Sequence, residues 1–523
     1  RLDNIKVMFF VGINDGNVPK RADSRSVLSE SDREYLEDKG IVMSASVREK
    51  AFTQRFYLYL IMTKSAEKLY MSYAVKNSEG AALMPSYIIR SMRKMFSHCL
   101  KLSYKDTAQQ NSYVTIPRAA NSFDNTEIAA NVDEDIIDSL TGGRLVGSVT
   151  SFENFAECPL RYYLRYGVDL KEREEFTFSP VNFGVVLHAV IREVCDEIKK
   201  NGESYYLISE EKRREMVKRS VAAITDIYQN SILKDSSRNS FMIKRMEDLA
   251  DRTVWAMGEQ LKCGDFVPFV FEHKFNMEVG DGDRKQLMSG TIDRVDICEN
   301  GTDVYVRIID YKTGKKDFNI VKTYYGIDIQ LMVYMEAAMK LVAKMRPGKN
   351  VIPAGVFYYN ISDPIVSATT ESAEEIEDKI KGELRLKGMV NSDKDIAEKM
   401  DNTGGTSLNI PVSRKADGGF DSRRSKVMNT EQFNMLGRFV DVRAVDTADR
   451  IAGGDIRRSP YKDGQFSSCD RCPYGAVCGF SVDLPGCNYR KLKKFDDEVL
   501  WNNIKEGVDE NGKKMDTGAE ERD

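Results

Sequence analysis

The hydrophobic pattern divides the chain into two stretches of regular structure separated by a polar interval. Near the start, Lys6-Val-Met-Phe-Phe-Val-Gly12 is an apolar run of strand length, and Asn14-Asp-Gly-Asn17 behind it is turn chemistry. A helical stretch is expected from Val47 to Met62, and Lys68-Leu-Tyr-Met-Ser-Tyr73 predicts a second short strand. From about Asp106 to Gly143 the chain is rich in Asn, Asp, Thr and Ser without strong periodicity, which reads as a linker or a long surface excursion. Regular patterning resumes near Ser148. A helix is expected over Ser151–Cys158, opened by Thr150 and Ser151 as capping hydroxyls, and another from about Asn182 to Lys199. Helical sequence continues from Glu210 to Lys262. Three strand runs follow, Phe266–Val279, Leu287–Cys298 and Val304–Tyr311, then a helix from about Asp328 to Lys344 and a strand over Val351–Tyr359. Residues 391–429, rich in Asp, Lys, Gly and Ser, are expected to form a mobile insertion. A last helix, about Thr430 to Ile451, leads into a cysteine-rich segment, and the charged end from about Gly507 is expected to be disordered. Helix, three strands, helix and strand predict an α/β core with mixed strand directions.

Composition narrows the function less than the pattern does. At 523 residues the chain should hold two or more domains with real cores. Its net charge of -4 supplies no global basic field, so any nucleic-acid contact must use local patches. No apolar run approaches the roughly 18 residues of a membrane helix, and no signal peptide is visible. Nine cysteines, an odd number unevenly spread, do not form a secreted disulfide framework, which leaves the cytoplasm as the expected compartment. The chain starts at Arg1 in mid-pattern and is expected to be a piece of a longer protein.

The chemistry concentrates where a strand ends. In Val304-Tyr-Val-Arg-Ile-Ile-Asp310-Tyr311-Lys312, alternation puts Asp310 and Lys312 on one face and Tyr311 on the other. Upstream, Gly290-Thr-Ile-Asp293 offers a second carboxylate that a hairpin could return to the same side. Two carboxylates and an ammonium at a strand end describe a divalent-metal site beside a fixed positive charge, the chemistry that cleaves phosphodiesters. Gly184-Val-Val-Leu-His188 places Gly and His on one helical face, where the glycine would allow close backbone approach and the imidazole could supply a ligand. Gln330-Leu-Met-Val-Tyr334 projects an amide and a phenol together in the same way. Glu272, on the strand before Asp293, is a possible extra carboxylate. Each piece alone has an ordinary structural explanation; the ordered set does not.

This order, G-x3-H, G-x2-D, D-Y-K and Q-x3-Y across residues 184–334, closely resembles the RecB-type branch of the PD-(D/E)xK nucleases. The resemblance implies a restriction-endonuclease-like fold in which His188, Asp293, Asp310 and the Tyr311 backbone carbonyl hold Mg²⁺ or Mn²⁺. It also implies that Lys312 orients or activates the attacking water while Gln330 and Tyr334 position the substrate strand.

Cys469-Asp-Arg-Cys472-Pro-Tyr-Gly-Ala-Val-Cys478 brings three thiols close in sequence and leaves a soft metal centre one ligand short. Cys487 would complete a local zinc site; Cys158 would complete a site that encloses the whole nuclease core. Cys158-Pro-Leu-Arg-Tyr-Tyr-Leu resembles the first ligand segment of AddB-like iron–sulfur nucleases, and that resemblance implies a 4Fe-4S cluster on Cys158, Cys469, Cys472 and Cys478 that acts as a staple. Cys99, Cys195, Cys263 and Cys298 lack such spacing.

At the other end, Lys6–Pro19 is similar to a strand and loop in the second motor domain of UvrD-like helicases, and Tyr57–Leu69 to a later segment of that domain. Lys64 stands where that family carries an arginine, and no G-x4-G-K-[ST] loop occurs, so no ATPase activity is expected of this stretch alone. The division expected is a helicase-like part at 1–105, a linker at 106–146, a nuclease domain at 147–490, and a C-terminal helix with a disordered tail at 491–523. Resemblance to the AddB family implies a metal-dependent DNA exonuclease subunit, partnered by an AddA-like helicase–nuclease subunit, that acts in double-strand-break resection and recombination. Arg161 and Arg165 beside Tyr162 and Tyr163, together with Lys315, Lys316 and Lys322, are the expected DNA contacts. A stand-alone iron–sulfur nuclease of CRISPR-associated or replication type, and a catalytically silent DNA-binding scaffold, are the competing expectations.

Overall fold

A computed structural model describes residues 5–20, 29–41, 44–76, 82–96, 98, 131–133, 136, 146–171, 180–227, 237–279, 286–366, 372–482 and 487–509. The chain forms two compact units, Arg1–Ile116 and Pro117–Asp523, so the division falls inside the expected linker. Most of 106–146, the end beyond Asp509, and Cys99 lie outside the described residues.

In the first unit, strand β1 (Val7–Phe10) pairs parallel with β2 (Lys68–Met71), Val7 opposite Lys68 and Phe10 opposite Met71. A parallel pair needs a crossover. The Val47–Met62 helix lies within it, opened by a capping box between Ser46 and Glu49. Ile13, Leu58 and Ile88 form its small buried core.

The second unit is built on a seven-stranded mixed sheet. Its strands are β3 (Val146–Ser148), β4 (Val267–Val279), β5 (Gln286–Asn300), β6 (Asp303–Lys312), β7 (Asn350–Asn360), β8 (Lys387–Asn391) and β9 (Val427–Met428). Antiparallel β4 covers one edge of β5. The other edge is shared: β3 pairs with Leu287–Ser289, and β6 takes over from Arg294 onward. Strand β6 then pairs parallel with β7. Both faces of β6 are covered, which is why its sequence reads as a nearly continuous apolar run.

One face packs on the helices Pro180–Lys200, Glu210–Ile227 and Ser237–Lys262 through Ile309, Tyr311, Phe357 and Tyr359. The other carries Val295, Ile308 and Tyr358 beneath the helices Val149–Glu157, Gln330–Met345, Thr430–Ala452 and Asp497–Asp509. The continuous helical sequence expected over 210–262 is thus two helices.

Three expectations are corrected. Residues 391–429 are not a mobile insertion: Ile396, Ala397, Met400, Ile410 and Val412 are buried in the first core, and Val427–Met428 extends the sheet. The polar composition misled because its side chains are consumed internally. Asp401 accepts hydrogen bonds from Thr403, Ser407 and Asn409, and Arg414 donates to the carbonyls of Ala397 and Asp401. The C-terminal helix expected within 491–523 spans Asp497–Asp509 and does not stand outside the nuclease domain: it buries Leu500 and Ile504 in the second core. Ser148 rather than Thr150 or Ser151 caps the Val149–Glu157 helix, accepting from the Ser151 amide.

Candidate active site

Strand register assembles the acidic row. Arg294 lies opposite Ile309, so the next step along the ladder sets Asp293 opposite Asp310. Across β5, the pairs Phe271–Arg294 and His273–Ile292 set Glu272 opposite Asp293. Glu272, Asp293 and Asp310 therefore stand in one row across three strands, and Asp310 is followed in the row by Tyr358 on β7. Pairing between β5 and β6 stops at Arg294, and the Tyr311 N–H donates 2.7 Å to the Asp293 carboxylate instead of to a strand carbonyl. Glu272 adopts a left-handed backbone, φ +49°, a conformation that a β-strand glutamate rarely takes.

His188 enters from the Pro180–Lys200 helix. Its Nδ1 lies 3.5 Å from Asp293 Oδ2 and 4.0 Å from Glu272 Oε1, with its ring edge-on to Tyr311. Gly184, one turn earlier, does not approach a backbone closely. A Cβ there would meet only the Thr313 side chain at 3.5 Å, an ordinary contact. The glycine of the second motif is the constrained one: at Gly290 a Cβ would fall 2.6 Å from the Phe275 ring and 3.0 Å from the Tyr334 ring.

Lys312 Nζ lies 2.5 Å from Asp310 Oδ2, donates 3.0 Å to Gln330 Oε1, and sits 5.6 Å above the Tyr358 ring. Gln330 Nε2 donates 2.9 Å to the Tyr334 hydroxyl, which fixes the amide orientation. The Gln330–Met345 helix thus brings Gln330 to the lysine and Tyr334 to Gln330.

The electrostatics are those of crowded acids. Burial, and then the charge of Asp293, push Asp310 up to about 6, with Lys312 pulling the other way. Burial and Asp293 likewise raise Glu272. Burial works against a charged His188, but Asp293, Glu272 and Asp310 together hold its pKa above the ordinary value. A divalent cation relieves such crowding. The donor set fits one: His188, Glu272 and Asp293 each offer a ligand atom, all within 4.8 Å of one another, with Asp310 beside them.

Glu153 was not anticipated. It lies on the Val149–Glu157 helix, and its carboxylate accepts from the amides of Ile329 and Gln330 at 2.9 and 3.0 Å. Burial lifts it to about 7 despite Lys316 and Lys312 nearby. No sequence signal marks it, because its partners are far away in the chain.

The four cysteines implied by the resemblance lie near enough to influence one another's ionisation, but among the described residues they do not form a group with ligand atoms within 4.8 Å of one another, as His188, Glu272 and Asp293 do. Cys158 and Cys472 feel one another's charge, as do Cys469 and Cys478 with both, and burial raises Cys158, Cys469 and Cys478. Backbone amides of Leu160, Arg161 and Ser459 point at the Cys158 sulfur. Tyr474 donates to the Leu170 carbonyl at 2.9 Å and Arg490 to the Ala156 carbonyl, tying the C-terminal segment to the Val149–Glu157 helix and to the stretch that follows Cys158. Cys487 is buried nearby in sequence.

The expected DNA contacts fare unevenly. Lys316 is committed to Asp328 at 3.0 Å and to the Tyr358 ring, Arg161 to Glu157, and Lys322 to Asp463 at 3.3 Å. Tyr162 is buried edge-on against Phe155. Arg165 lies over the Tyr166 ring, and Lys315 is exposed.

Among known proteins, the chain is 31% identical to a subunit of the "ATP-dependent helicase/deoxyribonuclease" of Lachnoclostridium phytofermentans, over 100% of this chain and 49% of that protein. It is 31% identical to the protein of the same name in Clostridium acetobutylicum, over 97% of this chain and 49% of that protein. The counterpart in Thermoanaerobacter pseudethanolicus is 29% identical over 98% of this chain and 49% of its own length. The chain spans about half the length of these relatives. The family model of the PD-(D/E)XK nuclease superfamily matches residues 147–479, which enclose the acidic row, Lys312 and the cysteine segment. The chain belongs to the PD-(D/E)XK nuclease superfamily.

Proposed function

We propose that this chain is the nuclease-bearing part of a helicase–nuclease subunit, and that residues 147–490 hydrolyse one strand of DNA in a divalent-metal-dependent reaction. The observation that carries the reading is the row Glu272–Asp293–Asp310 with His188 at one end and Lys312 at the other. Mg²⁺ or Mn²⁺ is the proposed ion, held by His188, Asp293 and Asp310 with the Tyr311 carbonyl, and Glu272 joins them. When bound it lowers the pKa of a water and neutralises charge on the phosphate. The chain's own groups do the rest. Lys312, clamped by Gln330, holds a fixed ammonium where the nucleophile and the scissile phosphate meet, and Tyr334 locks Gln330 in place.

A 4Fe-4S cluster on Cys158, Cys469, Cys472 and Cys478 is the proposed staple. Burial and the charge of neighbouring thiols make Cys158, Cys469 and Cys478 harder to ionise, a crowding that suits a positively charged centre. A brown protein absorbing near roughly 400 nm, without stoichiometric zinc, is expected. Residues 1–105 are proposed as part of a helicase-like domain that hydrolyses no ATP by itself. The partner is an AddA-like helicase–nuclease subunit, and the setting is end resection in bacterial double-strand-break repair. The names of the relatives, which join "helicase" and "deoxyribonuclease", support this setting.

The test is Mg²⁺-dependent digestion of single-stranded DNA by the wild type and by Asp310→Ala. Wild-type cleavage that drops about a thousandfold in the variant is expected, since several kcal/mol of charge stabilisation are removed. Equal rates in the two would refute the reading.

A further inference from the structure

We infer that Glu153 is a positioning residue for the nuclease reaction: by capping the Gln330–Met345 helix from a distant helix, it holds the Gln330 amide on Lys312. The inference rests on the nuclease reading above and adds a residue to it. A helix presents unsatisfied N–H groups at its start, and a side chain at the N-cap usually takes one of them. Here the N-cap is Ile329, which has no side-chain acceptor. Glu153 supplies it from the Val149–Glu157 helix, one carboxylate oxygen receiving both Ile329 N–H at 2.9 Å and Gln330 N–H at 3.0 Å. An acceptor at a helix N-terminus is favourable, and two N–H groups bonded to one oxygen fix the angle at which the helix begins.

The first residue of that helix is Gln330 itself. Its side chain bridges Lys312 Nζ at 3.0 Å and the Tyr334 hydroxyl at 2.9 Å, and Lys312 reaches Asp310 Oδ2 at 2.5 Å. The contacts from Glu153 to the acidic row are therefore continuous: two backbone N–H bonds, the Gln330 side chain on Lys312, and the Lys312–Asp310 ion pair. A cap needed only for stability could sit on any helix in the unit. This one lies at the residue whose side chain holds the lysine, and on the helix that ends at Cys158. Displacing a reacting group by about 1 Å costs on the order of a hundredfold in rate, so a frayed first turn should be felt in catalysis before it is felt in folding.

The experiment compares Glu153→Ala and Glu153→Gln in the full-length protein, with Mg²⁺ and single-stranded DNA, alongside hydrogen exchange. In Glu153→Ala, kcat should fall about 10- to 100-fold while KM for DNA stays within about threefold, because binding elsewhere is untouched. The Ile329 and Gln330 amides should lose protection while those of β6 keep it. Glu153→Gln should restore both the protection and most of kcat, since its amide oxygen can accept the same two N–H groups. Should Glu153→Ala fail to fold, Glu153→Asp, whose shorter arm reaches neither amide, takes its place. Wild-type kcat in Glu153→Ala, unchanged protection at Ile329 and Gln330, or a glutamine variant as impaired as alanine would each overturn the inference alone. A wild type that does not cleave would overturn the nuclease reading, and this role with it.

Discussion

Strands β5 and β6 carry charged residues on both faces, and the two faces treat them in opposite ways. On the face toward the Pro180–Lys200 helix, Arg294, Asp296 and Arg307 are fully buried, yet Asp296 receives both guanidiniums, at 2.7 Å from Arg294 and 2.9 Å from Arg307. Burial pushes Asp296 up, but the two arginines win and its pKa ends below the ordinary carboxylate value. One residue away on the opposite side of the strands, Asp310 pairs with Lys312 while Asp293 faces His188, and burial together with the neighbouring acid raises Asp310. Both clusters are buried and both are ionic. In the first, one carboxylate is answered by two guanidiniums, with Arg307 also lying 4.8 Å over the Phe266 ring; in the second, acids outnumber the cations that face them. An excess of buried acid at a strand end is what the proposed metal site requires, whereas the arginine-rich cluster behind it belongs to the fold.

The sharpest way to break this contrast is to neutralise one acid on each face. Asp310→Asn should lower the cleavage of single-stranded DNA by about a thousandfold, yet leave the thermal midpoint of the metal-free protein unchanged or higher, because it removes repulsion from Asp293. Calorimetry in chelator alongside the nuclease assay checks both halves; a large fall in stability would mean that the acidic row is structural. Asp296→Ala should do the reverse. It strands two buried guanidiniums, so the unit should lose about 3–5 kcal/mol in denaturant titration. Whatever folded protein remains should cleave at a rate within a few-fold of wild type. If Asp296→Ala kept its stability, the two faces would not differ in the way proposed.

The sequence disclosed the acidic face far better than the arginine-rich one. Asp293, Asp310, Lys312, His188, Gln330 and Tyr334 were legible because each sits at a fixed short spacing from another motif residue. The strands and helices carrying them followed from periodicity. Glu272 was only a possibility, since its place opposite Asp293 depends on the register of two long strands and on a left-handed backbone that composition does not encode. Glu153 left no trace, because a carboxylate becomes a cap only when another helix is brought to it. The opposite error occurred at 391–429. Polar residues there looked like solvent-facing loop but satisfy one another around Asp401, a network that no local pattern reveals. Among the proposed DNA contacts, Lys316 has a partner that the sequence does not reveal, Asp328, 3.0 Å away.

The contrast also predicts its own exception. On the Gln330–Met345 and Thr430–Ala452 helices, Asp441 shares a hydrogen bond with Glu336, and burial followed by that bond pushes Asp441 up to about 8. Here, too, acids are crowded, but Lys340 pairs with Glu336, no imidazole joins them among the described residues, and they lie on helices rather than at an open strand end. A shared proton can answer the excess that a metal would answer elsewhere. A carboxyl whose folded pKa is raised binds its proton over a range where the unfolded chain has lost it. Its stabilising contribution is therefore greatest near and below the unfolded value of about 4 and is lost as pH rises toward 8. Asp441→Asn should remove that loss. The variant should unfold at a temperature a few degrees higher than wild type at pH 8 to 9, with the difference shrinking toward pH 4, and nuclease activity should stay within about twofold. A variant that lost activity while gaining stability would place this second acidic pair in the site's chemistry, and crowding of acids would then mark function on the helices as well as at the strand ends.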